Sequence, residues 1–345
     1  PMKATFLYGA NDIRVDDVAY PQILKPTDAI IKTVVACVCG SDLWDYYDKA
    51  PSETGAAKGH EVIGVIEEVG SAVTKFKVGD LIVVPFVASC GTCDFCLENQ
   101  QTSCRNIDFF GHGGGAACQA EAVRIPWVDA SGVLLPVEAN SHLIPSLLSL
   151  TDVLCTGYHA AHSAGVKPGH NVVVIGDGAV GLSAVISAKK LGAERIILVS
   201  RHESRSNLGR EYGATDIVAE RDAEGIAKIL ELTNGDGAHR VLEAVGTQSA
   251  IDMAIAVTRS YGVVGRVGAA QYQNVPLDFG TIMRNITVTG GVAPARAYIE
   301  TLMPDILDGK INPGKMFDLE VSLDNIAQGY KAMADRTAIK ALVRP

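Results

Sequence analysis

Asn171-Val172-Val173-Val174-Ile175-Gly176-Asp177-Gly178-Ala179-Val180-Gly181 decides the fold of this 345-residue chain. The four β-branched residues after Asn171 read as a buried strand. They run straight into a G-x-G-x-x-G turn. Leu182 to Leu191 then shows helical spacing, and Gly192 stops it. Ile196-Ile197-Leu198-Val199 is the next strand. Strand, glycine turn, helix and strand in this order make one parallel β-α-β unit. The glycines permit a tight turn and let the backbone approach a pyrophosphate. The helix start adds unpaired N–H groups and the positive end of its dipole. Gly176, Gly178, Ala179, Val180 and Gly181 are therefore expected to bind a dinucleotide; the plainer reading is a glycine turn kept for packing.

The residue ending the second strand selects the dinucleotide. An acid there would hold the ribose 2′-hydroxyl of NAD. This chain has Ser200, then Arg201 and His202, with Arg205 nearby. A hydroxyl beside arginines accepts a 2′-phosphate that a carboxylate would repel. NADP is thus expected over NAD, through Ser200, Arg201 and Arg205, unless the arginines only solvate a helix start.

Downstream the alternation continues through strand 216–218, helix 223–233, strand 240–243, helix 248–258 and strand 263–265. Val267-Gly268 and Gly290-Gly291 close later turns, and Val267 and Gly268 count among the expected cofactor contacts. Six strands with crossover helices predict a doubly wound parallel sheet of the α/β class. The last 50 residues are mixed and are expected to return to the N-terminal domain.

Upstream of residue 150 the pattern is different. Short strands at 5–8, 29–35, 60–69 and 81–84 lie between Gly, Pro and Asp breaks, which predicts a β-rich domain. Two groups of soft ligands stand inside it. Cys39 and, about 20 residues on, His60-Glu61 supply thiolate, imidazole and carboxylate, donor types that suit zinc. Ser41 sits two residues after Cys39, where its hydroxyl could handle a proton. One buried cysteine and one satisfied core histidine is the plain alternative. Cys90, Cys93, Cys96 and Cys104 follow a C-x2-C-x2-C-x7-C spacing. Four thiolates in one short lobe (90–104) close a tetrahedral shell, as a structural zinc requires; an iron–sulfur cluster is the rival.

Composition bounds the rest. With 48% hydrophobic and 20% charged residues the chain can build sizeable cores. A net charge of −9 without a basic run argues against nucleic acid as a partner. No stretch reaches the roughly 18–20 apolar residues of a membrane helix. No signal-peptide layout opens the chain, so the cytoplasm is the expected compartment. Eight cysteines, four of them crowded together, read as metal binding rather than disulfides.

Taken in order, Cys39-Gly-Ser-Asp, Gly59-His60-Glu61, the four-cysteine lobe, Thr156-Gly157-Tyr158 and the glycine fingerprint resemble the zinc-dependent medium-chain alcohol dehydrogenases, and within them the microbial NADP-dependent secondary-alcohol enzymes. The likeness runs along essentially the whole chain. It implies a GroES-like catalytic domain (1–150 and 292–345) and a Rossmann NADP-binding domain (151–291), with the active site in the cleft between them. It also implies two zinc ions per chain and a homo-oligomer, a tetramer before a dimer. By resemblance, Cys39, His60 and Asp152 hold the catalytic zinc, Cys155 being the rival third ligand, and Glu61 is a transient fourth ligand or an outer support. Zinc then lowers the pKa of the alcohol, Ser41 takes the proton, and hydride passes to the nicotinamide. Thr156 is expected against the nicotinamide and Lys340 at the cofactor phosphates. Many relatives carry a relay histidine where this chain has Trp44. Trp44, Phe86, Phe109 and Phe110 could together line a hydrophobic substrate wall, although each is as readily a packing residue. The expected reaction joins NADP(H) to an alcohol and its ketone or aldehyde, with a polyol or threonine dehydrogenase as alternative. A zinc-stabilised NADPH-binding protein without turnover is the non-enzymatic alternative.

Overall fold

The computed structural model describes residues 1–112 and 116–345, and the chain divides into two compact units. The first comprises Pro1–Asp152 and Pro294–Pro345. Its main sheet has seven strands. Six run in the order Val133–Leu134, Leu81–Val84, Val62–Val69, Ala29–Cys37, Ala341–Arg344 and Leu319–Ser322, and Ala122–Ile125 also pairs with Ala29–Cys37. Of the Ala29–Cys37 residues only Lys32 is exposed, as expected of a strand rich in Ile and Val at the centre of a covered sheet. A smaller sheet joins Ile13–Val18, Met2–Leu7 and Ala56–Ala57. Ile31, Ile66, Ile82, Val84, Phe110 and Val123 pack as one core.

Antiparallel register explains what gathers at one end of the sheet. Ala36 pairs with Val62, and Val62 with Val84. Cys39, just past one strand, therefore lies beside His60 and Glu61, just ahead of the next. Phe86, just past the third, donates its N–H to the Thr151 carbonyl at 3.0 Å, which draws in the turn Ser149–Thr151 and Asp152 after it. Leu342 pairs with Cys37, which carries Lys340 to the same end. The strand expected at 60–69 begins only at Val62. Lys58 and Gly59 pair instead with the 118–119 backbone: Cys118 N–H donates to Gly59 O at 2.9 Å and Gln119 N–H to Lys58 O at 3.1 Å.

The second unit is Val153–Ala293. Its six parallel strands stand in the order Asp216–Val218, Arg195–Val199, Asn171–Ile175, Ala238–Glu243, Thr258–Arg266 and Thr287–Gly290. Numbered along the unit this is 3-2-1-4-5-6, the dinucleotide-binding order. The order reverses beside Asn171–Ile175, so the glycine turn opens at the switch point where such sheets bind ligands. Val172, Val173 and Val174 are fully buried, each contributing about 1.5–3 kcal/mol of burial energy. The following helix is Ala179–Lys190, three residues earlier than apolar spacing alone expects, because Gly178 is its N-cap. Among the described residues no helix is long and apolar enough to cross a membrane.

Candidate active site

Cys39, His60, Glu61 and Asp152 each offer a donor atom within 4.8 Å of the others, all in the first unit. Cys39 Sγ lies 3.7 Å from Asp152 Oδ2. His60 Nε2 lies 3.0 Å from that oxygen and 3.7 Å from Glu61 Oε1. Ligands at zinc's usual bond lengths stand roughly 3.3–3.8 Å apart around a tetrahedron; the two 3.7 Å separations match this, and the 3.0 Å pair would open by a few tenths of an ångström around one ion. Burial opposes protonation of His60, yet Cys39 and Asp152 outweigh it and raise its pKa well above the ordinary histidine value. The cluster attracts positive charge. A thiol, an imidazole and two carboxylates, nearly all buried, could thus hold zinc, and three of them would leave one place open.

Outer contacts fix these donors. The buried Asp42 carboxylate accepts from Cys39 N–H at 2.9 Å and from Gln119 Nε2 at 3.3 Å, and Gln119 Oε1 accepts from Tyr330 at 2.8 Å. Asp42 also faces His60 Nδ1 at 3.8 Å and the buried Lys58 Nζ at 3.7 Å. Such partners orient ligands. Lys58 and Gln119 escaped the sequence reading; a lysine directly before Gly59-His60 is the one hint. Glu61 is gripped from both sides, accepting from Lys340 Nζ at 3.1 Å and from Thr151 Oγ1 at 3.3 Å.

Lys340 departs from expectation. Its ammonium is fully buried and donates to Glu61 and to the Val38 carbonyl, 3.1 Å each, rather than standing free for nucleotide phosphates. Pairing through Leu342 and Cys37 carries it into the sheet. Burial works against its charge, but Cys37, Glu61 and Cys39 hold its pKa well above the usual lysine range.

An aromatic wall adjoins the donors. Phe86 stands edge-on to His60 at 6.4 Å between ring centroids, and Phe109 lies 5.5 Å from Phe86. The short pairing of Val87 with Phe109 brings them together. His112, which the sequence reading passed over, sits 6.2 Å from His60 and 5.4 Å from Phe109, its Nδ1 3.0 Å from the Phe110 carbonyl. Its place among glycines was the only signal. Phe110 is a correction: it is fully buried in the core with Ile31 and Ile66, not on the wall. Trp44 is half-buried on helix Asp42–Asp48, and Ser41 is exposed at that helix's N-cap, its hydroxyl making no cap bond.

The second donor group is Cys90, Cys93, Cys96 and Cys104, again within 4.8 Å. Backbone N–H groups already point at the sulfurs: Cys90 N to Cys104 Sγ at 3.3 Å, Asn106 N to the same sulfur at 3.3 Å, and Cys93 N to Cys90 Sγ at 3.4 Å. Burial resists ionisation of Cys90, but donors from Thr92, Asn106 and Cys93 overcome it and lower that thiol to about 5. Burial pushes Cys96 up to about 12. Four sulfurs without a vacancy match a structural zinc.

In the second unit the glycine turn suits a nucleotide. Gly176 has φ of 119°, a left-handed conformation that glycine adopts freely. A Cβ at Gly178 would meet nothing within 4 Å, which leaves the backbone open to an anion. One at Gly181 would fall 1.9 Å from the Gly176 carbonyl, so helix and strand approach closely there. No side chain caps helix Ala179–Lys190, and its first N–H groups remain for an anion. Ser200 and Arg205 come together, both binding Asp177, while Arg201 is exposed. Val267 and Gly268 donate their N–H groups to the Glu243 carbonyl at 2.9 and 3.2 Å. Thr156 lies buried on helix Val153–Ala164.

Comparison with known proteins agrees with this picture. The family described as alcohol dehydrogenase GroES-like domain matches residues 25–136, and that described as zinc-binding dehydrogenase matches 179–308. The zinc-type alcohol dehydrogenase-like protein AdhB of Bacillus subtilis is 32% identical over 382 residues, covering 100% of both chains. The alcohol dehydrogenase of Thermus sp. ATN1 superposes with a TM-score of 0.91 at 29% identity, covering 99% of each chain. A zinc-binding dehydrogenase of Sinorhizobium meliloti 1021, solved bound to NADP, superposes at 0.84 with 25% identity, covering 100% of this chain and 99% of that one. Fold, donor geometry and relatives converge, and the chain belongs to the zinc-dependent medium-chain alcohol dehydrogenases, oxidoreductases that bind zinc and a nicotinamide cofactor.

Proposed function

We propose that this member carries two zinc ions and transfers hydride between NADP(H) and a secondary or aromatic, hydrophobic alcohol with its ketone or aldehyde. The observation carrying this reading is the convergence of Cys39, His60, Glu61 and Asp152 beside an aromatic wall. Cys39, His60 and Asp152 hold the catalytic ion. Glu61, restrained by Lys340 and Thr151, supports it from outside that set. When bound, zinc supplies Lewis acidity toward an alcohol or carbonyl oxygen, and the nicotinamide takes or gives the hydride. Ser41 takes the alcohol's proton, its hydroxyl being exposed and unused as a cap. Phe86 and Phe109 exclude water and favour an apolar substituent. Cys90, Cys93, Cys96 and Cys104 hold the second ion and take no part in turnover.

NADP is favoured by Ser200 and Arg205 standing together where a 2′-substituent is read, with Arg201 exposed beside them. The Sinorhizobium meliloti relative's NADP supports the same choice. Self-association is favoured by exposed apolar residues near the sheet's edge strand Thr287–Gly290: Phe279, Ile282, Met283 and Val292 are 58–74% exposed.

The deciding experiment follows NADPH oxidation against ketones, aldehydes, sorbitol's keto form and an amino-ketone, with and without a chelator. Ketone reduction that the chelator abolishes and zinc restores is expected. Turnover confined to the sugar would select the polyol reading, which the polar His112 ring on the wall favours. Two bound zinc ions without any reduction would overturn the enzymatic reading.

A further inference from the structure

The second residue of the glycine fingerprint is an aspartate, and its place is unusual. Asn171–Ile175 and Arg195–Val199 pair in parallel with Ile175 opposite Val199. Asp177 and Ser200 thus leave adjacent strands side by side. Ser200 Oγ donates to Asp177 Oδ2 at 2.9 Å, and Arg205 Nη1 reaches Asp177 Oδ1 at 3.4 Å. Ser200 Oγ also shares a 2.8 Å hydrogen bond with Ser206. All three groups are nearly out of solvent, Asp177 being 8% exposed, Arg205 7% and Ser200 3%.

Where NAD is read by an acid, that acid ends the second strand. Here the strand ends in serine, and a carboxylate reaches the same hydroxyl from the neighbouring strand's turn. The groups that should take a 2′-phosphate are therefore already engaged by a negative charge. An incoming phosphate meets that charge and competes with it for Ser200 and Arg205. A ribose 2′-hydroxyl meets an acceptor instead.

We infer that Asp177 is the residue that sets this chain's margin of preference between NADP and NAD. It holds back phosphate binding and lends a hydrogen bond to the unphosphorylated ribose. The inference rests on the proposed reading of the glycine turn as the nucleotide site.

The test is a fluorescence titration of the purified enzyme with NADPH and with NADH, which reads binding without turnover. The wild type is compared with Asp177→Asn, which keeps the acceptor for Ser200 but not the charge, and with Asp177→Ala. Both variants are expected to raise the NADPH-to-NADH affinity ratio about tenfold, as loss of one charged contact does. A purely structural Asp177 would move both affinities together. An unchanged ratio in both variants, with both nucleotides still bound, overturns the inference alone. A wild type that binds neither nucleotide overturns the underlying site reading, and the inference with it.

Discussion

Replacing Lys340 by methionine removes the ammonium hydrogen-bonded to Glu61, while keeping most of the buried volume. Both side chains are fully buried, so water cannot take over the lost partner. Removing one member of a buried ion pair costs about 3–5 kcal/mol, because the remaining charge stays stranded. For a domain of 150–250 residues, 1 kcal/mol shifts Tm by about 2–4 °C, which puts the expected loss at about 6–20 °C. Adding Glu61→Gln neutralises the stranded carboxylate and keeps an acceptor for Thr151, so the double variant should recover at least half of that loss. Scanning calorimetry of wild type, both singles and the double, with zinc content measured in each, closes the cycle. A Lys340→Met midpoint within about 2 °C of wild type, or a double variant no more stable than the single, would refute the reasoning.

Three further expectations follow from other parts of the molecule. Cys104→Ser should cut bound zinc from two ions per chain to one and lower stability, as elemental analysis and melting would register; unchanged zinc content would sink the structural-zinc reading. His159 and His170 are each lowered to about 4, chiefly by burial, with His162 and Arg240 respectively adding to it. The unfolded chain binds protons below about 6.5 that these folded rings refuse, so their contribution is present above that pH and fades as pH falls toward 4. His170→Gln should therefore flatten the decline of Tm between pH 7 and 5, and a slope equal to wild type would refute this. Ile282→Asp with Met283→Lys should drive an oligomer to a smaller species in light scattering, and an unaltered mass would remove that apolar surface from any interface.

Local sequence carried the elements and the chemistry of the donors. Cys39, His60 and the four lobe cysteines are legible because thiol and imidazole at ligand spacing have few other uses. The strand Asn171–Ile175 and its turn are legible because glycine spacing and burial point the same way. What stayed hidden depends on partners distant in the chain. Lys340 meets Glu61 across 279 residues, and only the pairing of Leu342 with Cys37 reveals it. Asp177 meets Ser200 through a strand register that no local pattern encodes. Phe109 and Phe110 are neighbours with equal hydrophobicity, yet one lines the wall and the other fills the core, because the short strand Asp108–Phe109 ends there and the chain turns at Phe110.

The metal-bearing unit is discontinuous: its last strand, Ala341–Arg344, lies between Ala29–Cys37 and Leu319–Ser322. Translation therefore delivers that central strand, and with it the counter-ion of Glu61, only after the whole contiguous nucleotide unit Val153–Ala293 has been made. Until Ala341–Arg344 arrives, Ala36 and Cys37 lack their partners on that strand, so the nucleotide unit can close first and its thiol-rich companion second.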